Sequence, residues 1–504
     1  MPSTDPDLEP QACHTDTLSV RSLYVSTGCS RTVGSLSWGQ HGLVAYGSHN
    51  LVAIYSLQRG IVGTLKGHNA KVSCTTWLPS IEEAAYLASG SADHDIIIWR
   101  VMFDNGAVTW EGVAILKGHG GAVTSIALQQ LPSDELLLVS TAGDSAVQVW
   151  TANLASGYGQ PSWQLAQRID VGFRMQLCAT LASVQGCPGW AMLALGGVDG
   201  LIRLMVRSPL GDFQASCELK GHGDWVRSVA FTWAGPDSPQ GERLLLASAS
   251  QDKYIRVWAV SKDAAEGGLD GSKGVTNAGE PALAFLTRYA PRPELKLGEG
   301  TWSAALEALL VGHEDWVHGL AWQPPPSQKA SHTSRPDPKP TLLSASMDRT
   351  MMLWRPDIAT GLWLAEESVG DAGPTSLGYF GCAWSPQAEY IVSHGFTGAL
   401  HLWRHSDSGW EPQHAAGGHL GAVTDLAWLP NLPCLLTVST DQTARIFGPC
   451  ALPETESLTN SSAADTHSDA AEGQRWCEIA RPQIHGHDFR CTAIIPCPHE
   501  PGNF

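Results

Sequence analysis

Along much of the chain apolar and polar residues alternate one by one. YIRVW (254–258), AVQVW (146–150) and ALHLW (399–403) carry this period-two pattern, which marks short strands buried on one face. No stretch sustains the 3.6-residue period of a long amphipathic helix, so the pattern predicts an all-β chain. The strands come in repeating groups. SGSADHDIIIW ends at Trp99, STAGDSAVQVW at Trp150, SASQDKYIRVW at Trp258, SASMDRTMMLW at Trp354 and STDQTARIF at Phe447. Each holds an Asp six positions before its closing aromatic. Gly-His pairs recur ahead of most of these strings, at Gly67-His68, Gly118-His119, Gly221-His222, Gly312-His313 and Gly418-His419, and again at Gly486-His487.

Weaker copies fill the gaps: HNLVAIYS, VDGLIRLMV and GFTGALHLW keep the strand pattern without the full Gly-His and Asp. Counting strand ends gives eight units, closing at Tyr55, Trp99, Trp150, Met205, Trp258, Trp354, Trp403 and Phe447. The pattern resembles WD repeats over about residues 20–490. That resemblance implies a β-propeller with four short strands per blade, a fold that leaves only short, protected strand edges. It also implies that each Gly-His histidine bonds the turn Asp of its own blade. The pairs are His68–Asp93, His119–Asp144, His222–Asp252, His313–Asp348 and His419–Asp441, and their role is structural.

The expected organisation is a flexible segment 1–19, a propeller of about seven blades over 20–411, an eighth blade-like unit over 412–490 and an irregular tail 491–504. The eighth unit either starts a second propeller or joins the first ring, and the repeat count leaves both open. Insertions at 78–85, 232–242, 261–300, 323–341 and 454–474 avoid the His and Asp turns. They are expected to crowd one rim and leave the opposite face trim, and their Pro, Gly, Ser and acidic content reads as solvated loop.

Composition narrows the function. Lys plus Arg total 31 against 49 Asp plus Glu, a formal charge of −18, and only 16% of residues are charged. Such an acid excess disfavours a protein that grips nucleic acid or an anionic membrane. The N-terminal stretch carries acids where a secretory leader needs positive charge, and no run reaches the roughly 18 apolar residues of a membrane span. The 12 cysteines form no CxxC pair, and Cys74 and Cys382 sit in apolar strands. Reduced thiols and a cytoplasmic location, with the nucleus as a second site, are therefore expected.

Catalytic chemistry finds no foothold. HEDWVH (313–318) has one residue too many for HExxH and starts a strand, whereas that zinc motif needs a helix face. His485 and His487 read as a repeat histidine and its chance neighbour. Phosphate loops and nucleophile elbows are missing, and no metal or other cofactor is expected. Binding signals are stronger. GHGDWVRSVAF and GHEDWVHGLAW set Trp225 and Trp316 where the chain climbs from the His turn into the innermost strand. Arg227 and His318 stand two residues beyond and are expected on the same side. Trp and Arg dominate protein–protein hot spots, so these four are candidate partner contacts. Packing of both indoles between blades is the alternative.

Several strings go further than generic repeats. GHEDWVHGLAWQP, LLSASMDRTMMLWRPD, GFTGALHLW, VSTDQTARIFGP and WCEIARPQIHGHD resemble the WD-repeat subunit family of the Elongator complex, in family order from about 30 to 490. The resemblance implies a non-catalytic scaffold that holds the catalytic subunit 3 and the scaffold subunit 1 of a complex modifying carbon 5 of wobble uridines in transfer RNA. Nucleic acid would be touched at most indirectly. Family members resemble two seven-bladed propellers in tandem, so the chain reads as a C-terminally truncated form with a stub of the second. A generic WD-repeat adaptor for signalling or substrate recognition outside Elongator is the other reading.

Overall fold

The structure, a computed structural model, describes residues 24–495 apart from 79–83, 105–106, 133–134, 154–161, 210, 235–242, 263–291, 299, 326–338, 358–359, 371–377, 431, 452–473 and 482–485. The segment 1–19, most of the insertions and residues 496–504 of the tail lie outside the described residues.

Among the described residues every regular element is a strand. Eight antiparallel sheets follow one another along the chain, over 36–66, 72–116, 123–170, 176–219, 226–310, 317–369, 379–413 and 423–480. Apart from the fifth, whose last two strands lie in reversed order, each sheet is a meander of consecutive strands, and from the first sheet to the seventh the first strand packs on the first strand of the next. Small residues make this approach possible. Gly319 faces Gly381 across one interface, where an added Cβ would lie 2.8 Å from the Gly381 Cα. Tryptophans at the outer ends of the inner strands add polar staples. Trp233 Nε1 donates to Ser183 O (3.1 Å), Trp322 to Ala230 O (2.9 Å) and Trp384 to Ala321 O (3.1 Å), each reaching the preceding sheet.

The ring closes after seven sheets. Tyr379–Trp384, the first strand of the seventh sheet, contacts Leu36–Trp38, the first strand of the first. Tyr46 and Tyr55 share a core with Val392, Leu400 and Leu402 across that seam. Among the described residues no strand is exchanged. Closure is instead reinforced by the segment ahead of the first sheet, where Cys29 N–H donates to Gly398 O (2.8 Å) and Arg31 Nε to Phe396 O (2.7 Å). His394 Nε2 adds a bond to Thr32 O (3.0 Å).

The eighth sheet stands beside this ring, attached at the seam between sheets seven and one. Gly28 N–H donates to His419 O (3.0 Å), and Arg445, fully buried, spans the joint. Its Nη1 binds Glu478 Oε2 (2.7 Å) and its Nη2 donates to Thr397 O of the seventh sheet (3.0 Å). The inner strand of this sheet, Val423–Trp428, is unlike its counterparts. Val423 is 50% exposed where Val226 and Val317 are at 0%, and Leu426 and Trp428 are open as well.

Two sequence expectations change. The stretch 261–300, read as irregular, contributes a strand, Glu294–Leu297, which makes the fifth sheet five-stranded and buries Leu295 and Leu297. Its short alternation ELKL is hidden inside a longer polar segment. The seventh sheet ends at Gln413, not at 411, because Gly409–Gln413 is its outer strand.

Arg445→Leu should loosen the eighth sheet alone. It leaves the half-buried Glu478 with Arg481 as its remaining ion-pair partner among the described residues and Thr397 O without its donor, a loss on the order of 1–3 kcal/mol. Hydrogen exchange should speed up across 423–480 and stay unchanged across 36–413. Uniform acceleration in both regions would contradict a separate attachment of this sheet.

Candidate functional site

Four sheets carry a four-residue chain of hydrogen bonds at one rim, and the eighth carries a three-residue form of it. In the sixth, His313 Nδ1 faces Asp348 Oδ2 at 2.8 Å, while Nε2 faces Ser344 Oγ at 2.8 Å. Ser344 Oγ also accepts the Trp354 indole N–H at 2.9 Å. The bonding pattern fits a neutral imidazole that donates through Nδ1 and accepts through Nε2. Asp348 further accepts the Glu314 N–H (2.9 Å), the Thr350 N–H (2.8 Å) and the Thr350 hydroxyl (2.6 Å). The same arrangement joins His68 to Asp93, Ser89 and Trp99, His119 to Asp144, Ser140 and Trp150, and His222 to Asp252, Ser248 and Trp258. In the eighth sheet His419 binds Asp441 and Thr437, and Phe447 stands where the indole would be.

The aspartates also set the turn. The residue after each is left-handed: His94, Ser145, Lys253, Arg349 and Gln442 have φ from 62° to 75°. Such a conformation strains a residue with a Cβ. The Asp carboxylate compensates by accepting the N–H two residues on, as in Asp348 to Thr350. Burial alone would raise the carboxyl pKa of Asp348. The His313, Thr350 and Glu314 bonds outweigh that and hold it well below the usual range, and Asp252 and Asp441 behave alike. These groups are occupied in holding the rim.

The inner strands show a second periodic feature. Ladder register slips once near the start of each of sheets two to eight, leaving Ser73, Thr124, Leu177, Arg227, His318, Phe380 and Thr424 unpaired as bulges. A bulge re-aims its side chain. In sheets two and three the bulged hydroxyl is spent on the neighbour: Ser73 Oγ donates to Val123 O and Thr124 Oγ1 to Gln176 O (2.8 Å). Thr424 does the same toward Phe489 O (3.0 Å). Sheets four to seven carry Leu177, Arg227, His318 and Phe380 at this position instead.

Trp225 and Trp316 stand at the rim just before these bulges, 42% and 45% exposed, so neither indole packs away between sheets. Arg227 is half-buried. Its Nε has no acceptor and the side chain has no carboxylate partner among the described residues. His318 departs from the expectation of a surface contact. It is 2% exposed, because the bulge turns it against the Phe380 ring (5.2 Å) and beside Trp316 (6.1 Å). Neither of its nitrogens has a hydrogen-bond partner. Burial, with Arg227 and His394 nearby, lowers its pKa to about 3, and burial also lowers that of His394 to about 4. The ring line continues through Phe380 and Phe396 to Arg31, whose guanidinium lies 4.1 Å from the Phe396 centroid. Phe380, Phe396 and His394 escaped the sequence reading. The recurring triplets VSC, VTS, QLC, VRS, VHG and YFG were the available signal, each centred on the bulged residue.

Two other groupings were hidden by sequence spacing. Cys450 and Cys477 form a disulfide between adjacent strands of the eighth sheet, against the expectation of reduced thiols throughout. His414 lies near them, so that one donor atom of each of the three falls within 4.8 Å of the others. These are the described residues that could hold a metal ion with the thiols reduced. His487, expected as a repeat histidine, is exposed, and His485 lies outside the described residues. A cleft of about 900 Å³ separates the eighth sheet from the first, lined by Tyr24, Leu51, Trp428 and Trp476.

The family model described as "WD domain, G-beta repeat" matches residues 59–100, 110–151, 213–259, 305–355 and 410–448. Each match takes in one Gly-His and one Asp of the rim pairs. The chain is a WD-repeat β-propeller protein. It is similar over nearly its whole length to Elongator complex protein 2: 35% identical to that of Arabidopsis thaliana, over 95% of this chain and 56% of the relative. Elongator complex protein 2 of Homo sapiens is 34% identical over 92% of this chain and 52% of the relative, and that of Saccharomyces cerevisiae 30% over 90% and 53%. The chain spans about half the length of the curated relatives it matches.

Asp348→Ala should lower stability by about 1–3 kcal/mol more than Asp357→Ala, because it leaves a buried histidine without its acceptor, whereas the Asp357 carboxylate caps an exposed turn at Thr360. Equal melting temperatures would contradict this role. Acid should act in two stages. From pH about 6.5 down to about 4 the unfolded chain binds protons that folded His318 and His394 refuse, so stability falls by at most about 1.4 kcal/mol per pH unit for each group. Below about 4 the depressed aspartates add a further loss. His394→Gln should flatten the first stage in a pH series of melting curves, and an unaltered slope would contradict it.

Proposed function

We propose that the chain is a non-catalytic scaffold of an Elongator complex, supporting carbon-5 modification of wobble uridines in transfer RNA by holding other subunits. The observation that carries this reading is 30–35% identity to Elongator complex protein 2 across 90–95% of the chain. The site chemistry agrees with it. The five His–Asp pairs, the groups closest to a catalytic constellation, are fully engaged in structural bonds. A net charge of −18 favours protein partners over direct transfer-RNA binding.

The partners in this reading are the catalytic subunit 3 and the scaffold subunit 1, and the compartments are the cytoplasm and the nucleus. Trp225 and Trp316 are the rim anchors, with Arg227 between them and the axis. His318 acts from behind, as support for Trp316. Contacts made by the half of the relatives that this chain does not span are outside the proposal.

Affinity capture of the tagged chain tests the reading. Subunits 1 and 3 should co-purify, and their absence beside a different set of partners would favour an adaptor outside Elongator. Changing Trp225 and Trp316 together to Ala should weaken that capture at least about tenfold, roughly 1.4 kcal/mol, with little change in melting temperature. A large stability loss would mean that the indoles hold blades together.

A further inference from the structure

The bulge positions divide the inner wall into two parts with different chemistry. Where the bulged residue is Ser73 or Thr124, its hydroxyl is consumed in bonding the next sheet. Where it is Arg227 or His318, polar capacity is left over. The Arg227 guanidinium pairs with no carboxylate among the described residues, and its buried Nε lacks an acceptor. Both nitrogens of His318, a residue 98% withdrawn from solvent, lack partners too. Buried polar groups are almost always bonded, and a protein that leaves several unbonded in one place has an unexplained debt there. Surrounding them is apolar surface: the exposed indoles of Trp225 and Trp316 and the ring of Phe380.

We propose that this part of the rim binds a protein partner through a short, mostly apolar peptide segment bearing one carboxylate, which Arg227 pairs while His318, packed behind, holds Trp316 in place. A guanidinium offers a carboxylate two parallel donors, and a dry setting strengthens the pair. The flanking apolar side chains of the segment rest on Trp225 and Trp316. A nucleic acid fits poorly. Binding a phosphate backbone takes several cations, and the same rim carries exposed Asp224, Glu314 and Asp315. These acids also explain why one carboxylate, and not an acidic run, suits the site. The inference deepens the scaffold reading by giving the chemistry of one contact, and it stands apart from which complex the chain joins.

The test uses the full chain and two blocked, fluorescein-labelled peptides, Gly-Ser-Phe-Asp-Leu-Ser-Gly and its Asn counterpart, followed by fluorescence anisotropy. The Asp peptide should bind and the Asn peptide should bind at least tenfold more weakly. Arg227→Gln should abolish that preference, Arg227→Lys should retain part of it, and Lys220→Gln, at an exposed site, should leave it intact. Melting curves identify any variant that fails to fold, and Trp225→Ala then serves as the second probe, weakening both peptides equally. Equal affinity for the two peptides, no binding of either, or preference for a labelled RNA oligonucleotide that depends on Arg227 would overturn the proposal. Co-purification with Elongator subunits beside a negative peptide result would sink this inference and leave the scaffold reading standing.

Discussion

The rim depends on a histidine that is buried and bonded at both nitrogens. His313 meets both conditions, with Asp348 at one end and Ser344 at the other. Because Ser344 also accepts from Trp354, the chain ties the turn ahead of the inner strand to the next two strands and to the turn between them. Losing one member strands the next, so the network is cooperative in the sense that partial satisfaction costs more than none. It also permits the left-handed residue after each Asp, and with it the tight turn that returns the chain to the outer strands.

Three sheets of the ring manage without it, and each substitutes a different device. The fourth uses Asp199, bridged to Arg203 at 2.6 Å, and puts Gly200 at the left-handed position, where a Cβ is absent. The seventh likewise uses Gly398 after Thr397, and its strand end is tied by His394 to Thr32 across the closing seam. The first has no such chain. Its turn at His49 is covered by the segment 27–31, which bonds Gly47, and faces Leu420 and Gly421 across a pocket. The weakest repeats therefore sit where neighbours supply the missing order.

Much of this was legible. Period-two alternation and the six-residue spacing from Asp to aromatic located every sheet of the ring, including those at Met205 and Trp403 that lack the full motif. The strand 294–297 was not legible, because four residues of alternation inside a polar insertion carry too little signal. Ring size was not legible either. It depends on whether the seventh inner strand meets the first, a contact between residues more than 300 positions apart that no local pattern encodes. The candidate site was half readable. Composition singled out Trp225, Arg227 and Trp316, but strict alternation misplaced His318, since a one-residue bulge breaks the parity on which the argument rested.

That break in parity links fold to function. A regular inner strand would send Val226 and Val317 toward the sheet interface and their successors toward the axis without distinction among blades. With a bulge at the same place in successive sheets, one side chain per sheet is released from the ladder and becomes free to vary. A hydroxyl there is drawn into bonding the neighbour, which stiffens the ring. Arg227, His318 and Phe380 make no such bond and instead load this wall with charge and flat apolar surface. The two uses compete for one position, so ring stiffness and ligand chemistry trade against each other sheet by sheet. Sheets two and three take the first option and five to seven the second. The asymmetry of the channel mouth follows from that choice rather than from any irregularity of the propeller itself.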